Sequence, residues 1–150
     1  AKRKAEKEAK DGVRVVKKPE PPDTSKVKYP DDMSPYKKPD GTWDWERVAP
    51  NNGFAGTPAA ETLQPGTVLD RFGGDGGRFL SPAGTPFESR ALSPDSLGAP
   101  YRAYEVMRPL PVQSGGIAPA FGMPGGGTQY FTGGSSVREL VNGGYLRELP

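Results

Sequence analysis

Residues 66–106 read GTVLDRFGGDGGRFLSPAGTPFESRALSPDSLGAPYRAYEV, and this stretch indicates the kind of fold. Its short apolar runs, Gly66–Phe72, Gly77–Leu80 and Tyr101–Val106, are bounded by Gly, Pro and Asp. That pattern is typical of short β-strands separated by turns. The sequence therefore predicts a sheet of short strands in which Gly- and Pro-rich loops form a large share of the domain.

Elements nearer the C-terminus extend this sheet and add a helix. Gly116–Ala118, Thr128–Phe131 and Tyr145–Leu149 are further strand candidates. Ser135–Asn142 begins with serines that can cap a helix, and it ends before a pair of glycines. We predict an α+β fold, in which a small twisted antiparallel sheet carries one or two short helices and long Gly/Pro-rich loops and is preceded by an extended tail.

The charge of the chain changes near residue 40. Residues 1–40 contain every Lys and have 12 Lys and Arg against 8 Asp and Glu, whereas residues 41–150 have 8 Arg and 10 acidic residues. Ala1–Lys10 has strong helix formers but no apolar face, and Lys17–Asp40 is Pro-rich with almost nothing to bury. We therefore divide the chain into a charged, Pro-rich tail or linker at 1–40 and a folded domain at 41–150. The first part is either a tether to a larger protein or a solvated tail.

The composition excludes several classes of site. The chain has no Cys and no His, which excludes disulfides, thiolate nucleophiles and Ser-His-Asp catalysis. Acidic residues lack metal-loop spacing, so we predict no metal site. No apolar run approaches the length of a membrane span, and the N-terminus has no signal-peptide h-region. The net charge is only +2, and acidic residues alternate with the lysines, so we predict no nucleic-acid partner.

Isolated arginines are the strongest candidates for ligand binding, because the planar guanidinium binds phosphate bidentately. They are Arg71, Arg78, Arg90, Arg102 and Arg108. Arg71 and Arg90 stand beside Gly- or Pro-rich turns, where backbone can approach a ligand. The structural alternative is an ion pair with a nearby carboxylate such as Asp70 or Glu88. The glycine runs at 73–77 and 124–127 match neither G-x-G-x-x-G nor a P-loop, which needs a Lys.

Taken together, six segments resemble the necrotizing-toxin (TNT) domain family, in the same order along the chain. They are NNGF at 51–54, GTVLDRFG at 66–73, GRFLSPAGTPFESRALSPDSL at 77–97, PYRAYEV at 100–106, IAPAFGMPGGGTQY at 117–130 and VRELVNGGYLREL at 137–149. The combination of F-x-S-R-A-L-x-P with F-G-x-P-G-G-G-x-Q is specific to that family. The resemblance covers about residues 42–150, and the family includes bacterial toxin C-termini and fungal secreted enzymes that hydrolyse NAD.

The resemblance implies an NAD(P) glycohydrolase that releases nicotinamide and ADP-ribose. By motif, Arg71 and Gln129 take the principal catalytic positions, and Gly126 and Gly127 are expected to lie against the substrate. Nicotinamide leaves NAD as a neutral ring, so no general acid is required and the absence of His is no obstacle. The barrier lies in an oxocarbenium-like ribose, which positioned dipoles can stabilise.

Other substrate-binding positions follow from the same resemblance. Arg90 is expected on the pyrophosphate. Phe79 stands where many members have Tyr, and Phe54 is the looser match to an aromatic that flanks the nicotinamide. Some members have His where this chain has Arg102, which we assign to substrate binding only.

The resemblance also implies a biological setting. The substrate is NAD or NADP, no cofactor is needed, and a cognate immunity protein is the expected partner. The chain is expected to be the C-terminal part of a larger secreted protein that competes with other bacteria and depletes NAD in the target-cell cytoplasm. Two alternatives stay open, a non-catalytic nucleotide-binding module and an ADP-ribosyl cyclase or transferase.

Overall fold

The computed structural model describes residues 16–150, and its centre is a seven-stranded antiparallel sheet. The strands are β1 Ala59–Leu63, β2 Val68–Phe72, β3 Phe79–Pro82, β4 Tyr101–Val106, β5 Leu110–Gly116, β6 Thr128–Phe131 and β7 Leu146–Glu148. They lie in the order β1-β5-β6-β3-β2-β4-β7. Two short helices, α1 Trp45–Val48 and α2 Val137–Asn142, accompany them. The predicted α+β fold, with a small antiparallel sheet and one or two helices, is confirmed.

Helix α2 covers one face of the sheet and encloses the main core. It begins with a capping box, in which the Ser136 amide donates to Glu139 Oε1 at 2.9 Å and the Glu139 amide donates to Ser136 Oγ at 3.2 Å. Val137 and Leu140 point into the core. The other buried members of this core are Leu63, Leu69, Leu80, Tyr104, Val106, Leu110, Val112 and Leu146. The opposite face of the sheet borders a cavity.

Two strands on one side of the sheet differ from the prediction. β1 was not predicted, because four of its five residues are exposed and it lacks the alternation of a half-buried strand. β5 runs from Leu110 to Gly116, upstream of the predicted strand at Gly116–Ala118. Its sequence, LPVQSGG, contains Pro and Gly, which are depleted in strands. Pairing between the two, from Ala59↔Ser114 to Leu63↔Leu110, overrides these weak local preferences.

The segment 17–44, here called the N-terminal strap, packs on the domain. Val27 and Tyr29 contact a small apolar cluster, and the Tyr29 hydroxyl donates to the carbonyl of Leu92 at 2.6 Å. Pro30 lies against Gly122, where a Cβ would come within 2.9 Å of the proline ring. No residue of Lys17–Asp40 is fully buried, and partly buried residues such as Val27 and Tyr29 hold the strap against the domain. Ala1–Lys10, with its strong helix formers and no apolar face, lies outside the described residues.

Candidate active site

A cavity of about 410 Å³ opens on the face of the sheet opposite α2. Asp70 pairs with Ser81, and Leu80 pairs with Tyr130. Because side chains alternate along a strand, this register sets Asp70, Ser81 and Gln129 in one row across β2, β3 and β6. The rest of the wall comes from α1, the turn at 52–53, the segment at 90–96 and the segment at 117–120.

Gln129 is held in the wall of this cavity by a hydrogen bond to backbone. Its side-chain Nε2 donates to the carbonyl of Asn52 at 2.8 Å, and the residue is 8% exposed. Asn51 and Asn52 both have positive φ, 57° and 55°, a conformation that Asn tolerates better than most residues. Among the described residues none donates to Gln129 Oε1. The amide is therefore oriented with its oxygen free for a ligand.

Arg71 reaches the cavity from the other side of the sheet. It lies within β2, opposite Arg102 of β4, and by alternation it leaves β2 on the α2 face. The guanidinium sits beneath the glycine loop at 73–77, and its Nη1 donates to the carbonyl of Phe79 at 2.6 Å. Burial lowers the pKa of Arg71 from its ordinary value, but an arginine stays protonated in proteins. The site thus has a fixed cation at its border.

Arg90 forms a buried ion pair with Asp70 on the floor of the cavity. Its Nη1 is 2.6 Å from Asp70 Oδ1, and the side chains are 3% and 0% exposed. Arg90 Nε and Nη2 donate to the carbonyl of Thr85 at 3.0 and 2.7 Å. Two of its five N–H donors are therefore taken by the Thr85 carbonyl, and Nη1 lies against the Asp70 carboxylate. The structure thus contains the structural alternative, an ion pair with Asp70, and because Arg90 also lines the cavity its expected role on the pyrophosphate stays a prediction.

The second oxygen of Asp70 completes a closed network. Asp70 Oδ2 accepts from the amide of Gly84 at 2.9 Å and from the hydroxyl of Tyr101 at 2.7 Å. Burial and then the hydrogen bond to Asp70 raise the pKa of Tyr101 well above its ordinary value, so Tyr101 remains a donor. The arrangement links β2 and β4 to the loops at 84–85 and 90, and so fixes the floor of the cavity.

The triple-glycine loop also has a structural role. The amides of Gly126 and Gly127 donate to the carbonyls of Ile117 at 2.8 Å and Ser89 at 3.0 Å. A Cβ on Gly127 would meet the Ser89 carbonyl at 2.9 Å. Both amides are thus occupied by protein, and neither glycine lines the cavity. Through these bonds the loop holds the turn Phe87–Arg90 against the sheet, and the expected substrate contact of the two glycines stays a prediction.

The remaining predicted positions divide between cavity and scaffold. Phe79 lines the cavity, and its ring stacks on Phe131 with centroids 4.9 Å apart. Phe54 does not line it, because its ring is 4% exposed and packs against β5. Arg102 pairs with Glu148 at 3.0 Å, away from the cavity. Of the predicted positions, Arg71, Phe79, Arg90 and Gln129 therefore line the cavity, whereas Phe54 and Arg102 do not.

Sequence reasoning missed two residues that shape the site. Asp70 was considered only as a possible partner of an arginine, yet it is fully buried beneath the cavity. An acidic residue inside the apolar run TVLDRF was the available signal, since a buried carboxylate needs partners. Trp45 was covered only as part of the folded domain at 41–150, yet it lines the cavity and is 53% exposed.

Comparisons with known proteins agree on one relationship. Residues 62–149 match the family model "Tuberculosis necrotizing toxin". The chain is 39% identical over 124 residues to the conidial surface nicotinamide adenine dinucleotide glycohydrolase nadA of Aspergillus fumigatus, an alignment that covers 74% of this chain and 51% of nadA. It is 35% identical over 130 residues to the outer membrane channel protein CpnT of Mycobacterium tuberculosis, covering 72% of this chain and 15% of CpnT.

A solved structure shares the fold. It is tuberculosis necrotizing toxin complexed with its immunity factor IFT, with a TM-score of 0.59 and 30% identity, and the match covers 76% of each chain. The chain spans about half the length of nadA and a smaller part of CpnT. Within residues 16–150, no three acidic residues lie close enough to hold a metal ion, and no helix is long and apolar enough to cross a membrane.

Proposed function

The chain belongs to the tuberculosis necrotizing toxin family, and from this premise we propose that it is an NAD glycohydrolase. It cleaves the bond between nicotinamide and ribose in NAD or NADP and releases ADP-ribose. One observation carries the proposal: the Gln129 carboxamide is fixed in the wall of a cavity with its oxygen free. That residue falls inside the matched region, and a 39% identical relative bears the name of an NAD glycohydrolase.

The leaving group explains how such a cavity can work without His or Cys. Nicotinamide departs from a cationic pyridinium as a neutral ring, so it needs no proton. Positive charge develops on the ribose, as it does in glycoside hydrolysis. A preorganised dipole aimed at that charge lowers the barrier in a site that excludes water. Gln129 Oε1 supplies this dipole or orients the attacking water, and its Nε2 bond to Asn52 keeps the orientation fixed.

Arg71 provides the positive charge that the diphosphate needs. Arg71 lines the cavity, and the hydrogen bond from its Nη1 to the carbonyl of Phe79 holds the guanidinium in place. Arg90, neutralised by Asp70, keeps the floor of the cavity in place. Binding energy from the diphosphate then positions the ribose for attack. Arg71 and Gln129 are thus the proposed catalytic residues.

Changing Gly77 to Ala should displace the Arg71 guanidinium. A Cβ at Gly77 would overlap that group, which must then move, whereas Gly76 has nothing within 4 Å. We expect G77A to lower kcat/KM for NAD by about 10- to 100-fold, because small displacements in a site are costly, while its melting temperature changes little. G76A is the matched control and should retain activity. Equal rates for the two variants would argue against a role for Arg71.

Product analysis tests the reaction itself. Incubation with NAD, followed by chromatography, should yield nicotinamide and ADP-ribose in equal amounts. Cyclic ADP-ribose would indicate a cyclase, and ADP-ribose attached to protein would indicate a transferase. Tight NAD binding with no turnover would leave only a nucleotide-binding module and overturn the proposal.

The setting of the activity is part of the same proposal. We infer that the chain is part of a larger secreted protein, because it spans only a fraction of relatives whose names place them at a conidial surface or an outer membrane. We also propose a cognate immunity protein, since the similar toxin was solved with its immunity factor. The NAD pool of the target-cell cytoplasm is the proposed site of action.

A further inference from the structure

Trp45 is an exposed aromatic residue at the mouth of the cavity. It is 53% exposed, more than the other exposed large hydrophobic residues of the described chain, Leu97 and Met107. It is also one of the residues that line the cavity. Large aromatic side chains are usually well buried. An indole that is about half exposed and also lines a cavity is therefore a candidate for a ligand contact.

The indole is held firmly in this place. Helix α1 is capped by Asp44, whose side chain accepts from the amide of Arg47. The Trp45 ring meets Phe121 edge-on, with centroids 5.3 Å apart and planes at 76°. Phe121 is fully buried and has a φ of 54°, an unusual conformation for a bulky residue. Such strain persists only where surrounding structure enforces it, which indicates a fixed platform.

The N-terminal strap supplies that enforcement. Tyr36 and Trp43 also pack on Phe121, at centroid distances of 5.8 and 5.3 Å. Trp43 Nε1 donates to Asp95 Oδ2 at 2.7 Å. All of these strap residues, and Trp45 itself, precede the region 62–149 that matches the family model.

Depth along the cavity distinguishes its two ends. Gln129 is 8% exposed and lies on the sheet, whereas Trp45 stands at the mouth. A volume of about 410 Å³ is at the lower end of the usual 300–1,000 Å³ for small-molecule sites. A dinucleotide that places its nicotinamide ribose at Gln129 must extend toward the mouth. Its remote end is the adenine, an aromatic base that stacks well on an indole.

We infer that Trp45 is a substrate-binding residue on which the adenine base stacks. This inference rests on the proposed function, because it takes the orientation of the substrate from Gln129. It deepens that function by assigning the nucleobase subsite to the N-terminal part of the chain. A contact with a protein partner through the same indole is the competing use of an exposed tryptophan.

Calorimetric binding of AMP and of nicotinamide mononucleotide tests the inference without relying on turnover. Changing Trp45 to Ala should weaken AMP binding by about 10- to 100-fold, the usual effect of losing one base–aromatic stack. Binding of nicotinamide mononucleotide, which lacks the adenine, should change less than about twofold. W45F should retain most of the affinity, because a phenyl ring still stacks.

Met107→Ala is the matched control, since Met107 is a large hydrophobic residue that is 44% exposed and does not line the cavity. It should bind AMP like the wild type. Unchanged AMP affinity in W45A, or a wild type that does not bind AMP, would overturn the inference and leave the indole for a protein partner. Absence of nicotinamide release would count against the proposed function instead, whatever the AMP result.

Discussion

Replacing Gln129 with Ala is expected to lower kcat/KM for NAD hydrolysis by about 30- to 1,000-fold. Losing one preorganised dipole from a water-excluded site costs roughly 2–4 kcal/mol of transition-state stabilisation. The loss should appear in kcat more than in KM, because the dipole acts on charge that develops only in the transition state. Initial rates of nicotinamide release over a range of NAD concentrations separate the two.

Two variants make this result specific. Gln129→Glu preserves the shape but loses the Nε2 donor to Asn52, so it should also be impaired. Gln113 is an exposed glutamine on the neighbouring strand β5, and Gln113→Ala should have wild-type rates. If Arg71 and Gln129 are both changed to Ala and activity falls by only a few-fold, the assignment of both residues is wrong.

Changing Asp70 to Asn is expected to destabilise the fold by about 3–5 kcal/mol. The substitution leaves Arg90, whose side chain is 3% exposed, without a compensating carboxylate, and an uncompensated buried charge has a cost of this size. It also weakens the acceptor for Tyr101 and Gly84. Denaturant titration of the wild type and the variant measures the change in the free energy of unfolding, with the same dependence on denaturant concentration used for both.

A surface pair provides the control for Asp70. Glu148→Gln removes the partner of Arg102, but both side chains are about a third exposed, so it should cost about 1 kcal/mol or less. The double change of Asp70 to Leu and Arg90 to Met should recover much of the lost stability, because apolar residues can replace a buried ion pair. A D70N variant as stable as the wild type would show that the pair does not hold the cavity floor.

The sequence was a reliable guide where local signals were strong. Tyr101–Val106 and Thr128–Phe131 are strands with the predicted bounds, because each is apolar or aromatic and ends at Gly, Pro or a polar turn. Helix α2 was predicted from its serine cap and terminal glycines, both of which it uses. These features depend on neighbours in sequence, so they can be read without the tertiary structure.

The site was less predictable because its contacts are distant in sequence. Arg90 forms an ion pair with Asp70, which is twenty positions earlier in the sequence. Gln129 donates a hydrogen bond to the carbonyl of Asn52, which is still more distant in sequence. The amide of Gly127 donates to the carbonyl of Ser89, although a glycine loop in a sequence equally suggests close approach to a ligand. Motifs identified the segments that meet at the site, but only the fold separates residues that face the cavity from residues that support it.

The packing of the N-terminal strap on the domain could not be predicted from its composition. A Pro- and Lys-rich segment predicts a solvated tail, and single aromatic residues within it do not reveal a partner. Tyr29 and Tyr36 nonetheless dock at Leu92 and Phe121. Their partners lie on loops whose positions are set by the sheet, so the docking could not be derived from the segment itself.

The most direct measurement is nicotinamide release from NAD by the wild type and by the Gln129→Ala variant under identical conditions. We predict equal amounts of nicotinamide and ADP-ribose from the wild type, and a rate at least about 30-fold lower from the variant. A wild type that leaves NAD intact would contradict the proposed reaction. A variant that hydrolyses NAD at the wild-type rate would contradict the assignment of Gln129 as the residue that stabilises the transition state.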